Sequence, residues 1–371
     1  MIRKSVQLVV VPVLMLIVAG CGAIGGAGVG SAVGATSTVA PAPADTATLV
    51  PTLVPTLVPT LVPTLVPTLV LTLVPTQSPA ISPTAELTTT TEASMTITDV
   101  AGRQVTLNGI PQRIIALAPS NTEILFALGD GSRVIAVDDF SDYPAAVKSL
   151  PKIGGTSDQY NFEQIVALKP DLILAAGITP PDVLKKLEDL KLTVVVLGVE
   201  KTTFDSILTD ITLVGQITGR VAQAKQVTDA MKQRVDAIKA KVAAATSRPR
   251  VYWELDATDP TKPYTVGPGT FVNDIITMAG GTNIFANASS LYPQVSAEQV
   301  VALNPQVIIL PDVAYGVTVD SVLQRPGWQG IAAVKTKRIF PIDDALVSRP
   351  GPRVVDGIEA AARLIHPELF H

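Results

Sequence analysis

The chain has 371 residues, enough for two domains, and a formal net charge of −4 with acidic and basic residues interspersed. No Lys/Arg-rich block is present, so a nucleic-acid partner has no electrostatic support. The only cysteine is Cys21 and the only histidines are His366 and His371. An intramolecular disulfide is impossible, and a His-based metal site or triad inside the fold has next to no material.

Arg3 and Lys4 precede the apolar run LVVVPVLMLIV (Leu8 to Val18), which is too short to span a bilayer comfortably. VAGC follows, and small residues before a Cys after such a run are similar to a bacterial lipobox. That likeness implies a signal peptide over 1–20 and lipidation of Cys21. Several acyl chains would then anchor the mature chain to the outer side of the cell membrane. Residues 21–94 read as a low-complexity tether. TLVP repeats from Thr48 to Pro75, and Pro at every fourth position blocks both helix and interior strand. The expected state is an extended, semi-rigid spacer.

The globular part begins near Met95. MTITDVAGRQVTL alternates and contains a Gly turn, which predicts a hairpin. RIIALA predicts a short strand. PSNTEILFALG follows, with Ser120 and Glu123 spaced as a capping box and Gly129 ending the helix. RVIAVDD, DLILAAG and TVVVLGV read as strands, alternating with the helices EQIVALKP and PDVLKKLEDL. Near-continuous apolar strands alternating with helices predict a parallel α/β sheet. Asp205 to Thr246 is helix-favouring with a break at Gly219–Arg220. Arg220 to Ala245 then predicts one helix about 40 Å long. The pattern restarts with strand RVYWEL, turn VGPGT, helix FVNDIITM, helix SAEQVVALNP, strands QVIILPD and RIFPID, and a last helix in GPRVVDGIEAAARLI.

The second run repeats the first. FEQIVALKPDLIL (Phe162 to Leu174) and AEQVVALNPQVII (Ala297 to Ile309) are nearly the same phrase, each with a Glu at its head. Within it, Ile165, Val166, Leu168, Val300, Val301 and Leu303 are expected in the core. The reading is two Rossmann-like lobes with mainly parallel sheets, 95–219 and 247–371, bridged by one long helix over 220–246. Such lobes enclose a cleft where helix N-termini and strand ends face a ligand.

RIIALAPSNTEILFALG, DDFSDYP, NFEQIVALKPDLIL, YPQVSAEQVVALNPQVIIL and SRPGPRVVDGIEAAARLIHPE together span Arg113 to Glu368. Taken jointly, the chain resembles the substrate-binding lipoproteins of ABC importers for cobalamin, iron-siderophore complexes and haem. The resemblance implies the class III periplasmic-binding-protein fold, with two lobes on one rigid helix. It implies a monomer that serves a dimeric permease and its ATPase, with no catalysis and no cofactor of its own; cobalt or iron would arrive with the cargo. It implies that Glu163 and Glu298 dock the two permease subunits. Dipole complementation at the helix N-terminus is the plainer role for both. Ligand candidates carried by the resemblance are Ser120, Asn121 and Thr122 in the first strand-to-helix turn, the aromatics Phe140, Tyr143, Tyr264 and Tyr292, and Arg349. Core packing is the alternative for Phe140 and Tyr292, and Arg353 reads equally as a second cation or as a pin for the last helix. Trp253 and Trp328 read as structural. With no cleft His and few cations, a corrinoid or a weakly charged iron chelate fits better than haem or an anionic siderophore. No G-x-S-x-G, H-E-x-x-H or P-loop motif argues for an enzyme.

Overall fold

A computed structural model of the chain describes residues 94–155, 159–198 and 201–370. All belong to one compact unit, Thr84–His371. The expected signal peptide, Cys21 and the expected tether up to residue 93 lie outside the described residues, and Ser94, the last residue assigned to the tether, is the first of β1.

The unit opens with the expected hairpin, β1 (Ser94–Thr98) antiparallel to β2 (Gln104–Asn108). Asp99 fixes it to the body, because its buried carboxylate accepts from the amides of Arg103 and Val196. The first lobe is a four-stranded parallel sheet of β3 (Ile114–Ala116), β4 (Val134–Val137), β5 (Leu172–Ala176) and β6 (Val194–Leu197). The strand order is β4-β3-β5-β6. Apart from Ile135, every residue of these strands is buried, as β-branched and aliphatic runs must be when helices cover both faces. Its helices are α1 (Pro119–Ala127), α2 (Phe162–Ala167), α3 (Pro181–Asp189) and α4 (Phe204–Ile217).

Helix α5 (Val221–Val242) links the lobes. It buries Ala224, Thr228, Met231, Val235, Ile238 and Val242, a stripe alternating by four and three residues. That stripe packs on α4 of the first lobe and on helices of the second. Its 22 residues give about 33 Å, shorter than the expected 40 Å. The helix stops at its cap Ala243, and the alanine-rich tail that follows has no stripe residue left to bury.

The second lobe contains β7 (Arg250–Asp256), β8 (Tyr264–Thr265), helix α6 (Phe271–Met278), β9 (Thr282–Asn283), α7 (Ala297–Leu303) and β10 (Val307–Leu310). Three short helices, α8 (Val319–Leu323), α9 (Ala332–Lys335) and α10 (Asp344–Val347), flank β11 (Ile339–Pro341), and α11 (Val354–Ile365) closes the lobe. Its parallel strands run β9-β7-β10-β11, with β8 antiparallel on the free end of β7. With β8 set aside, each lobe orders its strands second, first, third, fourth. The repeated phrase is therefore one structural unit used twice: α2 leads into β5 and α7 into β10, and in both lobes that strand pairs with the lobe's first strand.

Two expectations are corrected. The first turn of α1 has no capping box: the N-cap is Ala118 with no side-chain bond, and Pro119 starts the helix. Proline at the first position presets φ, so Ser120 falls one place inside the helix. Val166 and Leu303 are not core, being 43% and 40% exposed, while Ile165 and Val300 carry the burial. Leu168 and Val301 are partly buried against the same cores, so each short helix keeps a narrower apolar face than expected.

Candidate ligand cleft

In each lobe the strands end toward the same edge, and chemistry-bearing residues collect just past those ends. In the first lobe Asn121 bridges the point where the strand order reverses. Its amide nitrogen donates to the carbonyls of Leu174 and Ala175 on β5, both at 3.0 Å. Thr122 is spent internally: its amide donates to Ala118 O at 3.1 Å, and its hydroxyl lies 2.8 Å from that of Ser141. The amides of Ser120 and Asn121 belong to the first helical turn, where no intrahelical carbonyl can reach them. Of the three predicted turn residues, Ser120 and Asn121 have amides without an intrahelical acceptor, though both residues are buried, and Thr122 does not.

Past β4, the buried Asp138 organises the next loop. Its carboxylate accepts from the Phe140 amide at 2.9 Å and from the Ser141 hydroxyl. Burial pushes this carboxyl above its usual range, against the opposing Ser141 and Phe140 hydrogen bonds. The tight turn directs Phe140 and Tyr143 outward, 41% and 47% exposed. Core packing is thus not the role of Phe140.

The second lobe answers with two arginines from the segment ahead of α11. Arg353 forms a bidentate pair with the buried Glu123 of α1, at 2.9 and 2.6 Å. Its guanidinium also lies 4.1 Å from the Tyr143 ring centroid. Arg353 therefore does pin the start of the last helix, and the pin reaches the other lobe. Arg349 pairs with Asp142 at 2.5 Å and approaches Glu123 at 3.5 Å. The hydrogen bond from Arg349 holds the Asp142 carboxyl below the usual range. Gly351 lies against the Ser120 backbone, where an added Cβ would sit 3.6 Å from Cα. Two guanidinium groups from one lobe thus meet two carboxylates from the other, and their formal charges cancel.

Tyr292 and Tyr264 form a separate patch on the second lobe. Tyr264 is half-buried on β8 and bridges to Gln294, and the Thr265 amide donates to Pro293 O at 3.0 Å. Tyr292, between Leu291, whose carbonyl accepts from the Gly267 amide, and Pro293, is 43% exposed. Trp253 and Trp328 are fully buried, Trp328 edge-on to Tyr252. Glu163 and Glu298 are exposed, each at the second position of α2 and α7. Ser296 helps hold the Glu298 carboxyl low. No cluster of three His, Cys, Asp or Glu side chains able to hold a metal exists among the described residues.

Two residues escaped the sequence reading. Ile178, 90% exposed, follows β5, and Tyr315, 64% exposed, follows β10. Each is an exposed apolar side chain shortly after a fully buried strand, the position that Phe140 holds after β4. That shared position was the available signal.

The sequence profile of the family described as "Periplasmic binding protein" matches residues 114–346. The chain is 34% identical over 281 residues to the ABC transporter substrate-binding lipoprotein YvrC of Bacillus subtilis (strain 168), covering 74% of this chain and 87% of that one. It is 32% identical over 280 residues to a protein of Halobacterium salinarum named cobalamin-binding protein, covering 72% and 73%. A crystal structure of a possible iron-binding, periplasmic solute-binding protein from Staphylococcus epidermidis superposes with a TM-score of 0.61 at 33% identity, over 69% of this chain and 99% of that one. The duplicated sheets, the single linking helix and these likenesses converge: the chain belongs to the periplasmic binding protein family, as a substrate-binding protein of the ABC-transporter kind and not an enzyme.

Proposed function

We propose that the chain is the extracytoplasmic, lipid-anchored capture protein of an ABC importer, and that its cargo is a corrinoid held between the lobes. Cys21 carries the anchor, and residues 21–93 are the spacer between it and the binding unit. The observation that carries the cargo reading is the charge balance of the cleft. Arg349 and Arg353 already face Asp142 and Glu123, so no surplus positive charge waits for a polyanion. A chelate with several carboxylates or catecholates would have to draw Arg353 away from the buried Glu123, and a buried carboxylate is costly to leave unpaired, whereas Asp142 is exposed and holds Arg349 more weakly. A neutral macrocycle edged with amides instead finds exposed aromatic faces at Phe140, Tyr143 and Tyr292, and backbone donors at Ser120 and Asn121. The cobalamin-binding name of the Halobacterium relative supports the same class.

The two repeated helices supply delivery. Each runs into its strand, so its N-terminal end lies on the side of the strand ends, where the cleft opens. Glu163 and Glu298 then stand one on each lobe as matched contacts for a dimeric permease. Ser120, Tyr264 and Tyr292 complete the cargo site on this reading, with Thr122 supporting the turn from within.

The absorption spectrum of the protein purified from its native host tests the cargo directly. Corrinoid bands support the proposal; haem or ferric-chelate bands on a stoichiometric ligand refute its cargo class. In titration calorimetry with cyanocobalamin, Phe140→Ala and Tyr292→Ala should each weaken binding by about 1 kcal/mol. Unchanged affinity in both would remove the aromatics from the site.

A further inference from the structure

The structure assigns Tyr315 as the second-lobe wall of the cleft, an aromatic face that stacks on a flat cargo and helps choose it over compact ones. The inference rests on the interlobe-cleft reading and extends it to a residue whose ring is not part of that site as derived above.

Four observations support it. Tyr315 ends a 3-10 turn, Pro311–Tyr315, that begins directly after β10, so it stands at the strand-end edge of its sheet. The chain then reverses at Gly316, whose φ of 97° only glycine adopts easily. That reversal presents the ring at the tip of the loop, 64% exposed, the largest exposure of any aromatic among the exposed apolar residues. Its turn packs on α10, which begins at Asp344 and ends two residues before Arg349. Arg349 is in turn paired with Asp142 and directed at the Phe140 carbonyl of the first lobe. The segment that carries Arg349 thus lies between Phe140 of one lobe and the Tyr315 turn of the other. An isolated exposed tyrosine needs no explanation. This one stands on the turn beside the arginine segment that reaches Phe140 in the opposite lobe. Rings on both lobes beside a neutralised charge cluster suit a broad, uncharged, planar ligand, which can stack on both; a compact chelate can touch only one.

The test titrates the full chain with three probes, cyanocobalamin, haemin and a ferric hydroxamate, and follows the one that binds best. Tyr315→Ala should weaken that probe about 2- to 10-fold, and Tyr315→Phe should stay within about twofold, because the ring and not the hydroxyl makes the contact. In the unsubstituted chain, the bound probe should slow nitration of Tyr315 by tetranitromethane, read by peptide mass spectrometry. That measurement decides the matter alone if the alanine variant fails to fold. If Tyr315→Ala binds normally while Phe140→Ala is weakened, the Tyr315 wall is overturned and the cleft reading survives. If Tyr315→Phe loses as much as Tyr315→Ala, stacking is overturned. If no probe binds, or neither Tyr315→Ala nor Phe140→Ala is weakened, both readings fall.

Discussion

The first lobe and the second share a sheet order, a helix-to-strand unit and an exposed Glu, yet they bring opposite charges to the contact between them. The first contributes Glu123 and Asp142, and the second contributes Arg349 and Arg353. Their repeated helices also differ in anchoring. Helix α2 is capped by Asn161 alone, through the Gln164 amide. Helix α7 has a reciprocal box, with Ser296 and Gln299 each satisfying the other's amide. A repeated frame thus sets where a residue stands and leaves open what it is. Glu163 and Glu298 occupy the same place on helices that are held differently, so neither cap chemistry explains both.

The strongest way to break the comparison is to remove one carboxylate from each lobe's ionic core. Glu254 lies wholly buried under a bidentate pair with Arg325 inside the second lobe, whereas Glu123 pairs across the lobes with a partly accessible Arg353. Glu254→Gln should cost about 3–5 kcal/mol in chemical denaturation, because it strands a buried guanidinium. Glu123→Gln should cost less, since water reaches Arg353, and should make the lobes unfold in separate steps. Equal losses with one cooperative transition in both variants would show that the interlobe pair is no weaker a joint than the internal one.

Docking comes next. With cargo affinity unchanged, the double variant Glu163→Ala/Glu298→Ala should lower import at least about tenfold, and the two single variants should lose similar, smaller amounts. Uptake measured at matched protein levels reads this directly. Wild-type import by the double variant would leave the repeated Glu without a docking role.

A third test uses pH, because the lobes bury different acids. Burial, with Glu254 beside it, pushes the Asp312 carboxyl of the second lobe up to about 7. Burial likewise lifts Asp210 of the first lobe to about 6, partly offset by the Gly198 amide. The folded chain therefore holds protons that the unfolded chain has released. The resulting stabilisation is complete below about pH 4 and is lost as pH rises to 6 for Asp210 and to 7 for Asp312, by up to about 1.4 kcal/mol per pH unit and group. Asp312→Asn should flatten thermal stability against pH up to 7, and Asp210→Asn only up to 6. A wild-type melting temperature that rises steadily from pH 4 to 7 would contradict both shifts.

The smallest effect concerns the caps. Ser296→Ala removes one half of a box and should cost about 1 kcal/mol; Asn161→Ala removes a single bond and should cost somewhat less. The reverse order, by urea denaturation, would show that α2 depends on its cap more than α7 does.

Local chemistry was enough for much of this fold. Apolar runs such as LILAA and VIIL bury on both faces wherever they are placed, the four-and-three stripe of α5 asks for a partner on one side, and the doubled phrase declares two equivalent units. The positions of Glu163 and Glu298 followed from the same repetition. What the tertiary structure decided is which charges meet. Glu123 looked like half of a cap because Ser120 stands three residues before it, and only the approach of Arg353, 230 residues later, gives that carboxylate its partners. The exposure of Val166, Leu303, Ile178 and Tyr315 was equally hidden, because an apolar side chain carries no local mark of the neighbour it lacks. Periodicity reports which face of an element is apolar; whether that face finds cover, and which distant ion answers a buried charge, depends on contacts that exist only once both lobes have closed around α5.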